Sequence, residues 1–164
     1  LLTIGSKEVF TLDARIINAL IGAVIKNFEA FMGKKPELGK PQLIKDLKPR
    51  FDMITVIGFT GDCQGNVLYS FSPKTSLNIV SKMMGMPYES LDELALSAIG
   101  ELGNMISGTL AMNLEKLGLK IVISPPTIVT GDHLKISADG MALELLVNSF
   151  SKEDVQIILS LKSS

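Results

Sequence analysis

Glu101 and Asn104 stand three residues apart within LDELALSAIGELGNMISGTLAMNLEKLG, a stretch whose apolar residues recur at helical spacing. At about 100° per residue, Asn104 lies about 60° from Glu101 around the helix axis, with Ser97 about 40° to the same side. One face then carries a carboxylate, able to pair with a cation, and a carboxamide, which both donates and accepts hydrogen bonds. Gly100, Ser107, Gly108, Ala111 and Glu115 are assigned to the same sector, opposite a broad apolar stripe of Ala95, Ile99, Leu102, Ile106, Leu110 and Leu117. Gly100, Gly103 and Gly108 each cost such a helix roughly 1 kcal/mol relative to alanine. Gly100 and Gly108 flank the polar pair, where a missing side chain lets another backbone approach. The pattern alone equally describes a solvated face with glycines placed for helix packing.

Other chemistry-bearing residues are poorly placed. Cys63 falls in a turn without a histidine beside it, so a spare thiol is expected. His133 follows Gly131-Asp132 and has no carboxylate or metal partner nearby in sequence; a surface histidine is expected. One histidine and one cysteine are too few for a clustered zinc site, and a glycine-rich phosphate loop is absent. Met83, Met84 and Met86 read as core filling or loop packing. Asp92 and Glu93 are accounted for as first-turn charges.

The elements that must position the long helix can be placed in order. A first helix opens at Thr11, a candidate N-cap with Asp13 in its first turn, and carries Ile16, Ile17, Leu20, Ile21, Val24, Ile25 and Phe28 at helical spacing to Gly33. The breaker-rich KKPELGKP then reads as connector. Met53–Thr60 and Asn66–Ser72 read as a hairpin around Gly61–Gly65. Ser72-Pro73 starts a short helix that stops at Gly85, and Ser90 with Glu93 forms a capping-box spacing for the long one, with Gly118 as its stop. Runs at 120–124, 127–129, 134–137, 141–149 and 155–162 are rich in Val, Ile and Leu and read as strands. The run VQIILSL could serve a dimer interface, and ordinary core burial explains it as well.

A weak internal repeat is present. Leu20-Ile21-Gly22 returns as Ala98-Ile99-Gly100, and the hairpins end on VLYSFS and QIILSLK. The expected fold is α+β in two layers, with long helices packed on one face of a mainly antiparallel sheet. The expected organisation is one domain over 1–164, with 1–10 as an N-terminal extension.

Bulk properties fit that size. Hydrophobic residues make up 46% of 164 and charged residues 20%, enough apolar material for one core. With 16 basic and 17 acidic residues there is no charge excess to attract nucleic acid or anionic lipid. The start lacks a secretory pattern and the most apolar run, 16–25, is too short to span a bilayer. A cytoplasmic protein that binds neither nucleic acid nor membrane is expected.

The segment around Glu101 and Asn104, followed by ISPPT, resembles the CheC/CheX/FliY family of chemotaxis phosphatases, and most closely its CheX members. The family pattern of Asp or Ser, then Glu, then Asn on one helix, with a proline about twenty residues on, matches Ser97, Glu101, Asn104 and Pro125-Pro126. LDARIINALIGAV, TVIGFTG, YSFS and MMGMPY extend the likeness from about Asp13 to Lys162.

The resemblance implies a response-regulator phosphatase acting on the aspartyl phosphate of a CheY-type partner, and a homodimer. Glu101 and Asn104 are then the catalytic pair, with Ser97, Gly100, Ser107 and Gly108 in partner binding. Asn104 would orient the attacking water, and Glu101 would engage a basic residue of the partner. No cofactor of its own and no metal ligand are expected, Mg²⁺ being supplied by the response regulator. Some family members carry the pair on both repeat helices; here Ala23 and Lys26 occupy the equivalent positions of the first helix, so one site is expected. A rival reading is a non-catalytic adaptor that binds a phosphorylated receiver or the flagellar switch through the same helix.

Overall fold

The computed structural model describes residues 2–3, 11–12, 14–132, 134–136 and 142–162. Asp13, His133, Ser137, Asp139-Gly140 and Met141 lie outside them, and so do the expectations that rest on these residues. The element order is β1 (Leu2–Thr3), β2 (Thr11–Leu12), α1 (Ala14–Met32), β3 (Glu37–Leu38), β4 (Gln42–Ile44), β5 (Met53–Gly61), β6 (Gly65–Phe71), α2 (Pro73–Met84), α3 (Glu93–Glu115), β7 (Ile121–Ile123), β8 (Thr127–Thr130), β9 (Ala142–Asn148) and β10 (Val155–Leu161).

Eight strands form one antiparallel sheet in the order β3-β9-β10-β6-β5-β7, with β4 also on β9 and β8 also on β5. The order is symmetric about the central β10/β6 pair. Each hairpin is flanked by two short strands drawn from the segment after a long helix, the relationship an internal repeat requires. The offset that aligns the helices does not align the strands, which explains why so little of the repeat survives in sequence.

Strand alternation divides the sheet between two apolar clusters. Met53, Ile57, Phe59, Val67, Tyr69, Phe71, Leu143, Leu145, Val147, Val155, Ile157, Leu159 and Leu161 face the helices and join Leu20, Val24, Phe28, Ile79, Ile99, Leu102, Ile106, Leu110 and Leu114. The opposite face is not bare. Ile54, Leu68, Ala142 and Ile158 pack there with Leu47 and the partly buried Ile44, Leu134 and Ile136. Covered on both faces, β10 is buried throughout, so core burial accounts for VQIILSL.

Several boundaries shift for local reasons. Thr11 pairs with Thr3 in a strand, and α1 begins only at Ala14. Asp92, not Ser90, caps α3: its carboxylate accepts from the Ala95 amide at 2.8 Å. Ser72 caps α2 as expected, accepting from the Thr75 amide at 3.1 Å, and Gly85 ends it at a positive φ of 70°. The connector KKPELGKP contributes β3, recruited by the edge of β9. The 134–136 run makes only an isolated bridge, Ile136 to Leu47. Met83 packs on the core, whereas Met84 and Met86 are exposed and fill nothing.

Candidate functional site

The long helix is seated by contacts that leave it little freedom. Gly103, between Glu101 and Asn104 in sequence, lies on the sheet so closely that a Cβ would stand 3.1 Å from Thr55 Cγ2 and 3.2 Å from Tyr69 Cδ2. One turn on, the Ser107 and Tyr69 hydroxyls share a hydrogen bond of 2.7 Å. Burial pushes the Tyr69 phenol far up from its ordinary value, only partly offset by Ser107, so it stays neutral. Two carboxamides tie α3 to α1: Asn27 donates to Thr109 Oγ1 at 3.0 Å, and Asn113 donates to the Ala19 carbonyl at 3.0 Å.

With the apolar stripe held down, Glu101 turns out to solvent and Asn104 is half-buried on the same side. Among the described residues, neither side chain has a hydrogen-bond or ion-pair partner. Both are therefore unengaged in this structure. Glu101 borders an open depression of about 550 Å³ with Glu93, Leu96, Ser97, Gly100, Pro126 and Ile128. Asn104 sits a turn further along, outside it.

The proline is placed by its neighbour. Ser124 Oγ accepts from the Gly58 amide at 2.9 Å, and the Ser124 amide donates to the Gly58 carbonyl at 2.8 Å, pinning the turn between β7 and β8 to β5. Pro126, rather than Pro125, then lies on Gly100, with its Cγ 3.4 Å from where a Cβ would be. The close approach that Gly100 permits is made by this chain itself.

The sequence assignment of the strip needs correction at Ser107. Six residues after Glu101 it lies about 120° around the axis, at the edge of the core, and only 1% of it is exposed. Its hydroxyl is spent on Tyr69, so it holds the helix from beneath and cannot touch a partner. Gly100 is likewise buried. Ser97 is exposed and Gly108 half-buried. Leu117, expected in the apolar stripe, lies past the helix end and is 40% exposed. Sequence reasoning missed Tyr69 and Thr55, whose only signal was a polar group on an otherwise apolar strand face.

The sister helix shows no comparable surface. Ala23, equivalent to Glu101, is fully buried, and Lys26 is exposed. Cys63 stands at the β5–β6 turn, its thiol pushed up by burial and by the Asp62 carboxylate, which disfavours a nucleophilic thiolate. Among the described residues, no three His, Cys, Asp or Glu gather where they could hold a metal, and no helix is long and apolar enough to cross a membrane.

This architecture is shared with solved structures of CheC-like and CheX proteins. A CheC-like superfamily protein from Shewanella sp. PV-4 superposes with a TM-score of 0.80 at 26% identity, covering 92% of this chain and 99% of that one. The CheX–CheY–BeF3–Mg²⁺ complex from Borrelia burgdorferi gives 0.77 at 22% identity, over 93% and 99%. The CheY-P phosphatase CheX of Thermotoga maritima is 51% identical over 153 residues, 93% of this chain and 99% of that protein. Residues 53–148 match the family described as chemotaxis phosphatase CheX. The chain belongs to the CheX family.

Proposed function

We propose that this chain is a phosphatase that hydrolyses the aspartyl phosphate of a CheY-type response regulator, with Asn104 placing the attacking water and Glu101 engaging a basic residue of the partner. The observation that carries this reading is an exposed carboxylate and a half-buried carboxamide, both unengaged, on one side of a rigidly seated helix, in a chain 51% identical to a CheY-P phosphatase.

Hydrolysis needs a water in line with the leaving carboxylate oxygen, and positioning supplies much of the acceleration. The carboxamide of Asn104 accepts from that water and donates toward a phosphoryl oxygen, so both groups are fixed by one side chain. The water oxygen bonds to phosphorus as the P–O bond to the aspartate breaks, leaving a free carboxylate and inorganic phosphate. Glu101 lies next to the depression that Ser97 and Pro126 line, where a lysine or arginine of the partner would reach it. The phosphorylated aspartate and the Mg²⁺ both belong to the partner. A homodimer and a cytoplasmic location complete the reading, the former checked by light scattering.

The test follows phosphate loss from a phosphorylated CheY-type regulator at fixed Mg²⁺, with and without the protein. Acceleration by wild type and none by Asn104→Ala is expected. An unchanged rate in Asn104→Ala removes the water-placing role, and an unchanged or prolonged phosphate lifetime with wild type favours a binding adaptor.

A further inference from the structure

Pairing along the β5 edge of the sheet does not keep one register. Phe59 of β5 pairs with Ile123 of β7, and Val56 of β5 pairs with Thr127 of β8. Two residues of β5, Ile57 and Gly58, therefore stand opposite three, Ser124, Pro125 and Pro126. This is a β-bulge, which bends its strand and re-aims the side chains beyond it.

One hydroxyl closes the bulge. In a regular antiparallel ladder, hydrogen-bonded residues exchange two main-chain bonds. The Ser124 amide donates to the Gly58 carbonyl at 2.8 Å, but the Gly58 amide donates to Ser124 Oγ at 2.9 Å. The same hydroxyl donates to the Pro125 carbonyl at 3.2 Å, so it ties the bulge to the sheet. Pro125 and Pro126 have no amide hydrogen to leave unpaired, and Pro125, standing before a proline, favours extended backbone. The residues packed on the core change from Ile121 and Ile123 before the bulge to Ile128 after it. Pro126 Cγ and Ile128 Cδ1 both come to 3.4 Å from where a Cβ of Gly100 would stand. The bulged segment is thus one wall of the depression beside Glu101, and α3 is the other.

We propose that Ser124 is a positioning residue for Glu101: its hydroxyl holds the bulge open, and the bulge sets the width of the depression through which a partner's lysine or arginine reaches the carboxylate. Ser124 acts in this way only through the role proposed for Glu101. It is exposed and stands on a different element from Asn104, near which the height of α3 is set by Gly103, Thr55 and Tyr69. Without the hydroxyl, the Gly58 amide turns to the main-chain carbonyl or to water, and Pro126 settles toward the regular strand path, away from Gly100. The effect falls on affinity for the partner and spares the water-placing step.

The test compares wild type, Ser124→Ala, Ser124→Thr and a chain lacking Pro125, assayed by phosphate loss from a phosphorylated CheY-type regulator at fixed Mg²⁺. Removing Pro125 leaves equal lengths of strand between the Phe59–Ile123 and Val56–Thr127 pairs, so both ladders survive without the bulge. Ser124→Ala raises KM about fivefold with kcat changed less than about twofold, Ser124→Thr keeps KM within about twofold, and the deletion raises KM about tenfold. In a Glu101→Gln background, where KM is already raised, Ser124→Ala adds less than about twofold. Amide exchange at Gly58, followed by NMR, speeds up about tenfold in Ser124→Ala and not in Ser124→Thr. Wild-type KM in Ser124→Ala, or unchanged exchange at Gly58, overturns the proposal. A rise of the same size in the Glu101→Gln background overturns it too, because Ser124 then acts without Glu101. Acceleration by wild type with an unchanged KM in Glu101→Gln removes the role of Glu101 and that of Ser124 together. No acceleration by wild type removes the proposed function itself, and the role of Ser124 with it.

Discussion

A methyl group on Gly103 would stand 3.1 Å from Thr55 Cγ2, which fixes how closely the middle of α3 can lie on β5. Tyr69, on the adjacent strand, is at 3.2 Å and is itself held by Ser107, so it cannot swing aside without breaking that bond. Gly103→Ala must therefore lift the helix by a few tenths of an ångström, directly between Glu101 and Asn104. Positioning losses steepen quickly with displacement, and a drop in kcat of about fivefold is expected. Thr55→Ser deletes the nearest methyl and should restore most of that loss when combined with Gly103→Ala. Assays of the two single variants and the double variant settle it: no recovery in the double variant means that the lost activity does not come from helix height.

The Tyr69–Ser107 pair makes a separate prediction for stability. Tyr69→Phe leaves the Ser107 hydroxyl buried and unpaired, at a cost of about 1–2 kcal/mol. Removing both partners leaves no orphan, so Tyr69→Phe/Ser107→Ala should be closer to wild type than Tyr69→Phe alone. Thermal melts or urea titration of these variants measure the difference. Additive losses would show that the hydroxyls do not depend on one another.

Much of this arrangement was legible in the sequence because period and punctuation fix it. Ser72-Pro73 and Gly85 bracket α2, and the stripe from Ala95 to Leu110 sets the rotation of α3, which places Glu101 outward. Residues near the boundary of the stripe are harder. Ser107 lies where a few tens of degrees decide between solvent and core, and the decision is made by Tyr69, 38 positions away in sequence. The choice between Ser90 and Asp92 as cap depends on chain direction before the helix, since both side chains can accept from an amide. Pro125 and Pro126 are equivalent until Ser124 is tied to Gly58. Strands as short as β3 carry no period and form only because β9 offers an edge. The roles given to Glu101 and Asn104 come from family resemblance, whereas their shared side of α3 follows from helical spacing.

The sister helix offers a test of the count of sites. Rebuilding the pair there requires Ala23→Glu and Lys26→Asn, yet Ala23 is fully buried in the core. Forcing a carboxylate into that apolar position should make Ala23→Glu cost about 3 kcal/mol or more. Lys26→Asn alone, on the exposed face, should change stability by less than about 0.5 kcal/mol. Neither substitution should raise phosphatase activity per chain. A gain of activity in the double variant, read in the same phosphate-loss assay, would falsify the assignment of a single site.

The turn between β9 and β10 should make the fold acid-sensitive. Asp154 is buried, and its Oδ2 accepts from Thr75 Oγ1 at 2.6 Å, Ser149 Oγ at 2.7 Å and the amides of Phe150 and Ser151 at 3.0 and 3.1 Å. Its Oδ1 accepts from the Ser149 amide at 2.8 Å. Burial alone pushes this carboxyl up; the hydrogen bonds from Thr75, Ser149 and Ser151 outweigh it and hold the group below its ordinary value. A depressed folded value means that ionised Asp154 stabilises the fold at every pH above the unfolded value of about 3.9. That contribution shrinks as pH falls from there through the folded value, and is gone below both. Asp154→Asn should therefore lower stability by about 2 kcal/mol at pH 7, and its deficit should narrow below about pH 4. Because the turn joins β9–β10 to the start of α2 and touches neither Glu101 nor Asn104, kcat measured well below Tm should not change. Melts of both proteins between pH 7 and pH 3 supply the comparison. A deficit that stays constant across that range would mean that Asp154 acts through shape alone and not through its charge.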